Sequence, residues 1–371
     1  MATVQPLPLD FDFETPELLK ATITAARALS KLQGIAQTIP NQEILLSTLI
    51  LQEAQESSAI ENIITTQKDL LVSRGVAAEK LNPSVKEVRR YEDAVRLGFN
   101  LVKEEGLVLT RHIVKVQKLL KGDDAGLRRV PGTVLRNAKT GEIVHEPPQH
   151  IDEINTLMGN LEQYLNNASL QEIDPLIKMA VIHHQFETIH PFFDGNGRTG
   201  RILNVLYLIK EGLLDLPILY LSRFIVEHKG EYYRHLAEAR LSEKGYQSYV
   251  LWMLEGVRIT ANFTVDVIER LRDLMKNYKQ RLRALDAKVY SQDLLNNIFK
   301  YPYTKVAFVM EDLSVTRPTA TRYLKVLVDA GLLEVEQIGR NKFYINSALL
   351  ELLTRPVMSD NEVSIESVNR D

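Results

Sequence analysis

Apolar residues return along most of this chain at the three- and four-residue spacing of a helix buried on one side. Ile177, Ala180, Val181 and His184 fall at i, i+3, i+4 and i+7, and Ile202, Val205, Leu206 and Ile209 repeat that spacing. Between them lies a Gly-rich stretch, 190–201, so the pattern predicts helix, tight loop, helix. Upstream, residues 1–13 read as an extended arm, and Thr15 before Pro16 predicts a helix running to about Gln33. Asn41 is placed to cap the next, Leu- and Ile-rich helix. Helical spacing also runs over 84–104, 110–120, 151–168 and 173–189, in the YYRHLAEARL segment from Tyr232, and from 246 to 288. The pattern breaks over 130–149, where prolines, glycines and β-branched residues flank Asn137-Ala138-Lys139-Thr140-Gly141; this predicts a β-hairpin.

Beyond residue 300 the texture changes again. TKVAFVMEDL is a short helix, Ser314-Val315-Thr316 a turn and cap, and RPTATRYLKVLVDAGLL a second helix stopped at Gly331. EVEQIGRNKFYIN then alternates about Gly339-Arg340-Asn341 as strand, turn, strand. That order resembles a winged helix-turn-helix module, with Arg317, Thr319, Thr321 and Arg322 near the exposed start of the reading helix. The fold class expected is mainly α: a helical core with a β-hairpin, plus a small C-terminal winged helix-turn-helix domain.

Composition changes this picture little. Of 371 residues, 45% are hydrophobic and 25% charged, enough for a sizeable core and two or three domains. The formal net charge of −3 gives no overall pull toward nucleic acid, so any such contact has to be local. The segment 269–288 carries seven Lys/Arg against three acids and reads as a solvated linker helix; 300–347 carries seven against five. There is no cysteine, which excludes disulfides and thiolate metal sites and fits a reducing, cytoplasmic compartment. The first residues form no basic-then-apolar leader, and no apolar run approaches the ~18 residues that would span a membrane.

The chemistry concentrates in His190-Pro191-Phe192-Phe193-Asp194-Gly195-Asn196-Gly197-Arg198-Thr199-Gly200-Arg201. The second helix starts inside this loop, so its unpaired N–H groups and positive dipole end form an anion site. Gly195 and Gly197 let the backbone approach a phosphate, and Arg198 and Arg201, three apart, can fork onto phosphate oxygens. Asp194 is the kind of oxygen ligand Mg²⁺ accepts when it bridges phosphates, and His190 can take a proton from a hydroxyl. Two rival patterns use the same residues. Gly195 to Gly200 satisfies GxGxxG, but the segment before it is helical rather than a strand. Glu187 and His190 form ExxH, as a di-iron helix would, but the other ExxH, Glu142 and His145, lies in a turn-rich segment.

The stretch matches without a gap the HPFx(D/E)GNGRxxR signature of the Fic family, and the chain from about 40 to 245 resembles that family. The resemblance implies a Fic-type helical core and a nucleotidyltransferase, a protein adenylyltransferase that moves AMP from ATP onto a Ser, Thr or Tyr hydroxyl. It implies His190 as general base, Asp194 as Mg²⁺ ligand, Gly195, Asn196 and Gly197 with Thr199 and Gly200 as the nucleotide cradle, and Arg198 and Arg201 as phosphate clamps. The phosphorylating Doc branch carries Lys where this chain has Gly197, which favours nucleotidyl transfer. Ser57-Ser58-Ala59-Ile60-Glu61-Asn62 resembles the family's inhibitory motif (S/T)xxxE(G/N), whose Glu reaches the second motif arginine. Ser57 and Glu61 share a helix face, so the hydroxyl can steady the carboxylate, and Glu61 on Arg201 would take the place of a γ-phosphate.

The hairpin, about 130–147, resembles the family's flap, which pairs with the target segment; Ile143 and Val144 are the docking candidates. Tyr233, of the pair Tyr232-Tyr233, is expected near the adenine, and Trp252 in the core. The domains expected are an N-terminal region 1–110 with the inhibitory motif 57–62, a catalytic core 111–245, a connecting helix 246–288, a winged helix 290–350 and a polar tail 356–371. Expected partners are ATP, a hydroxyl-bearing target protein or the chain itself, and no membrane. DNA at 290–350 and a homodimer stay open. So does a second function: a DNA-binding transcriptional regulator using the Fic site as a nucleotide sensor.

Overall fold

Thr15 accepts a hydrogen bond from the Leu18 amide and Pro16 sits at the first helical position, so helix α1 opens where the sequence signals it, at Pro16–Ala36. The computed structural model describes residues 4–66, 69–70, 81–136, 140–285, 289–338 and 341–354. Further helices follow: α2 Gln42–Ile60, α3 Pro83–Glu105, α4 Thr110–Lys121, α5 Ile151–Asn166, α6 Pro175–Ile189 and α7 Asn196–Lys210. Then come α8 Leu221–Glu227, α9 Lys229–Ala239 and α10 Glu243–Leu285. The hairpin is β1 Leu135–Arg136 against β2 Ile143–His145, antiparallel, with Leu135 opposite His145. Its expected turn at 137–139, the turn residues Gly339 and Arg340, the linker's last residues and the tail 356–371 lie outside the described residues.

The core is built round α6 and α7. Every residue of α6 from Leu176 to Ile189 is buried, not only the predicted stripe, because α1, α5, α7 and α10 surround it. The arm before α1 is extended as expected and pinned: the Leu7 amide donates to Asn160 (2.7 Å), Asn160 donates back to the Leu7 carbonyl (2.8 Å), and Phe13 is buried against Tyr246.

One expectation is corrected. The basic part of α10 is not a solvated linker: its charges face outward, but Ile268, Leu271, Met275, Tyr278 and Leu282 are buried, because α1 lies along α10 and C-terminal elements pack on its end. At 43 residues the helix is ~65 Å long. The Tyr278 hydroxyl reaches the Leu332 carbonyl (3.0 Å) and Asn346 (2.9 Å). After it come α11 Gln292–Lys300, β3 Tyr303–Thr304, α12 Val306–Leu313, α13 Arg317–Asp329, β4 Glu334–Ile338, β5 Asn341–Ile345 and α14 Ser347–Thr354. The strands form an antiparallel sheet in the order β3-β5-β4, Val335 opposite Tyr344. Arg317, Thr321 and Arg322 on α13 are exposed, and Thr319 is half-buried. α11 packs on α2, and Gln52 of α2 donates to the Leu353 carbonyl (2.5 Å).

Candidate active site

The 190–201 loop is shaped by two left-handed residues and one amide. His190 ends α6 with φ +48°, its N–H on the Phe186 carbonyl (2.9 Å), and Gly195 starts α7 with φ +82°, which glycine adopts without a Cβ penalty. Asn196 spans the loop: its Oδ1 accepts from the Phe192 amide (2.9 Å) and its Nδ2 donates to the Phe192 carbonyl (2.8 Å). Its side chain is therefore committed to loop shape, and only its backbone N–H is available to a phosphate. Phe192 is buried and Phe193 is exposed. Thr199 and Gly200 lie buried in the first turn of α7.

The charges of the loop meet partners from distant helices. Asp194 accepts from the Gly195 amide (2.6 Å) and pairs with Lys121 Nζ of α4 (2.5 Å), while Arg198 lies 3.7 Å away. Partial burial pushes the Asp194 carboxyl up, but the Lys121 hydrogen bond and the charges of Lys121 and Arg198 outweigh it and hold the pKa below its ordinary value. Arg198 is buried and paired with Glu87 of α3 (2.5 Å). His190 is half-buried and its Nδ1 has no hydrogen-bond partner among the described residues. Burial first, and the nearby Arg128 second, push its pKa down to about 4, so the imidazole is neutral at physiological pH. Among the described residues no three His, Asp or Glu cluster as a metal cage. Asp194 alone, with its side chain 65% exposed, suits Mg²⁺, which commonly takes one or two carboxylates plus phosphate oxygens.

Arg201 lies against the end of α2. It donates to Ser57 Oγ (2.8 Å), to the Ser57 carbonyl (3.0 Å) and to Glu61 Oε1 (3.0 Å). Ser57 thus bonds Arg201 rather than steadying Glu61, because the guanidinium lies between them and the hydroxyl is buried one turn back. Glu61 caps α2, and Asn62 follows with φ +61°, its N–H on the Ala59 carbonyl (3.0 Å). A residue tolerant of the left-handed region is required there, which gives the (G/N) of the motif a backbone cause. A Cβ on Gly197 would stand 2.6 Å from Glu61 Oε1, and one on Gly200 2.7 Å from Glu187 Oε1, so both glycines make room for the contacts round Arg201.

Beneath this contact Glu53 is buried on α2 and accepts from Tyr91 (2.9 Å) and from Ser222. Tyr232 is buried with its hydroxyl on His183 (2.9 Å), and Tyr233 stands half exposed beside it, rings 5.2 Å apart. Ile143 and Val144 are exposed on the hairpin, and Trp252 is buried against Phe224 as expected of a core residue. The sequence did not single out Glu53, Tyr91, Glu87, Lys121 or Arg128. Each stands far along the chain from its partner, and no local spacing marks it.

Three family models match the chain: one described as Fic/DOC family N-terminal over 19–100, one as Fic/DOC family over 108–208, and one as protein adenylyltransferase SoFic-like, C-terminal domain, over 274–349. The protein adenylyltransferase fic-1 of Caenorhabditis briggsae is 32% identical over 103 residues, 28% of this chain and 18% of that protein. A probable protein adenylyltransferase of Aquifex aeolicus is 26% identical over 206 residues, 55% of this chain and 57% of its own length. The chain therefore spans less than two thirds of these relatives. A Fic family protein from Desulfovibrio desulfuricans G20 is similar in structure with a TM-score of 0.54 at 20% identity, over 92% of this chain and 97% of that one. Fic-1 from Caenorhabditis elegans gives 0.52 at 21% identity, over 68% and 73%. At these identities the structural likeness speaks to the fold.

Proposed function

We propose that this chain, which belongs to the Fic/DOC family, is a protein adenylyltransferase that moves AMP from ATP onto a Ser, Thr or Tyr hydroxyl of a target protein or of itself. The observation that carries the reading is the loop itself. A neutral His190 with an unpartnered Nδ1 sits at the end of α6, next to the open N–H groups of α7 and the buried cations Arg198 and Arg201. ATP phosphates are taken up by those N–H groups and by Arg198, which Glu87 holds in place. His190 removes the proton of the target hydroxyl as its oxygen attacks the α-phosphorus; the O–P bond forms, the bond to the β-phosphate oxygen breaks, and pyrophosphate leaves. Mg²⁺, held by Asp194 with phosphate oxygens, would offset charge on the phosphates. Exposed Ile143 and Val144 would pair with the target segment, and Tyr233 would lie near the adenine.

Glu61 holds this activity down. Its carboxylate on Arg201 takes the place of the γ-phosphate, so ATP enters with its α-phosphate out of line, where misplacement by about 1 Å costs ~10²-fold. Residues 290–350 are read as a winged helix; the helix–strand–helix–helix–hairpin order supports it. Intact mass after incubation with Mg·ATP tests the enzyme reading. Glu61→Gly protein should gain one AMP faster than wild type, and adding His190→Ala should cut that gain by ~10²–10⁴-fold while ATP still binds. Unchanged transfer by the His190→Ala protein would remove His190 as the base.

A further inference from the structure

Arg128 is the largest buried cation outside the Fic signature, at 1% exposure, in the loop between α4 and the hairpin. Its backbone and side chain meet two segments, 189–191 and the hairpin exit at Pro148. Nε donates to the His190 carbonyl (2.8 Å), NH2 donates to the carbonyls of Pro148 and Ile189 (3.4 Å to the latter), and its amide donates to the Pro191 carbonyl (2.9 Å). The carbonyls of Ile189 and His190 are among those that a helix C-terminus leaves without an intrahelical partner, and a cation there also meets the negative dipole end. His145 of β2 takes up the preceding one, with its Nε2 2.8 Å from the Thr188 carbonyl. Pro148 belongs to the strand-exit segment of the hairpin, where Gln149 braces the base by bonding the Thr133 carbonyl (2.9 Å) and the Gly132 amide (2.7 Å).

We infer that Arg128 is a positioning residue: one guanidinium fixes the backbone of the base His190 and the foot of the target-binding hairpin in a single frame. This rests on the adenylyltransferase reading above and deepens it, since the hydroxyl presented along the hairpin then arrives at a fixed place relative to the imidazole. His190 needs such a hold. It is a non-glycine residue in the left-handed region, tied to its own helix through its N–H on the Phe186 carbonyl. The titratable and charged groups that face the imidazole are Arg128 from this loop, His145 from the hairpin and Arg240 from the end of α9, all of which lower its pKa, while the Glu187 backbone of its own helix acts to raise it. Loss of the Arg128 charge should therefore raise the pKa of His190, whereas loss of the fork alone should not.

The test uses the full chain with Glu61→Gly as reference, and two substitutions, Arg128→Lys and Arg128→Met. Histidine-labelled protein is followed by NMR, with His190→Ala assigning the resonance. Arg128→Lys keeps charge and loses the fork: kcat should fall by about 10²-fold with KM for ATP nearly unchanged, and the His190 midpoint should stay low. Arg128→Met should move that midpoint, and the acid limb of the kcat profile, to higher pH. A kcat for Arg128→Lys within twofold of the reference overturns the inference, as does a His190 midpoint unmoved in Arg128→Met. Should Arg128→Met not fold, the Arg128→Lys arm decides. If the reference transfers no AMP, the adenylyltransferase reading fails, and the NMR arm still decides Arg128: a raised midpoint upholds it, an unmoved one overturns it.

Discussion

At the scale of single residues, the loop divides between groups that carry chemistry and groups spent on shape. His190, Arg198 and Arg201 belong to the first kind, the two arginines buried and paired with Glu87 and Glu61, while Asn196, two positions before Arg198, is used up on the Phe192 backbone. The signature was legible because its residues are neighbours in sequence. Glu87, Lys121 and Arg128 were not, because their partners lie 111, 73 and 62 positions away and a charged residue on an amphipathic helix or in a loop reads as solvated until the fold pairs it. Glu53 is the same case, and it carries a prediction. Burial pushes its pKa from 4.5 to about 7, against the hydrogen bonds from Ser222 and Tyr91 and the charge of Arg201. Between those values the unfolded chain has lost the proton and the folded chain keeps it, so the unfolded state binds fewer protons and stability falls as pH rises. Above about 7 both states are ionised and the loss levels off. Relative to Glu53→Gln, the urea midpoint of wild type should therefore decline from pH 4.5 to 7 and then run parallel. A constant difference across that range would mean Glu53 is already ionised in the fold.

At the scale of elements, the helix–loop–helix about 190–201 and the order of helices followed from apolar spacing, but spacing said nothing of how far each helix sinks. α6 is buried all round and α10 is held on one side along its length, since burial depends on which neighbours arrive. The end of α2 shows the converse, a local rule with a distant purpose. Asn62 takes φ +61° so that the last turn closes with Glu61 facing Arg201. Asn62→Val puts a β-branched residue in that region, at a cost of roughly 1–2 kcal/mol, and should fray the turn. The expected result is a lower melting temperature together with faster AMP transfer than wild type, while Asn62→Gly leaves both near wild type. If Asn62→Val slows transfer instead, the turn serves the active conformation and not restraint by Glu61.

At the scale of the molecule, α2 packs on α3 and α8 and is held at two further points. Its end rests on Arg201 of the catalytic loop, and its back rests on α11, with Gln52 reaching the Leu353 carbonyl. The C-terminal elements are in turn fixed to α10 through Tyr278, and α10 to α1. The sequence placed a boundary after the long helix because the apolar pattern restarts there, and a pattern restart cannot reveal packing back onto residues some 250 positions earlier. The consequence is testable by ending the chain after Leu285. The core 4–285 keeps α6, α7, α10 and the loop intact, so AMP transfer should persist. But α2 loses its contacts with α11 and α14 and keeps those with α3 and α8, which loosens the Glu61–Arg201 contact through the equilibrium that both share. Coupling of this kind is typically 1–3 kcal/mol, so basal transfer should rise about fivefold or more over the full chain. Adding Glu61→Gly to the truncated chain should then give little further gain, since both changes release one restraint. Initial rates of self-modification with labelled ATP, corrected for folded fraction by melting curves, measure both steps. A truncated chain no faster than the full one, with the Glu61→Gly gain undiminished, would show that α2 holds its place without the C-terminal elements.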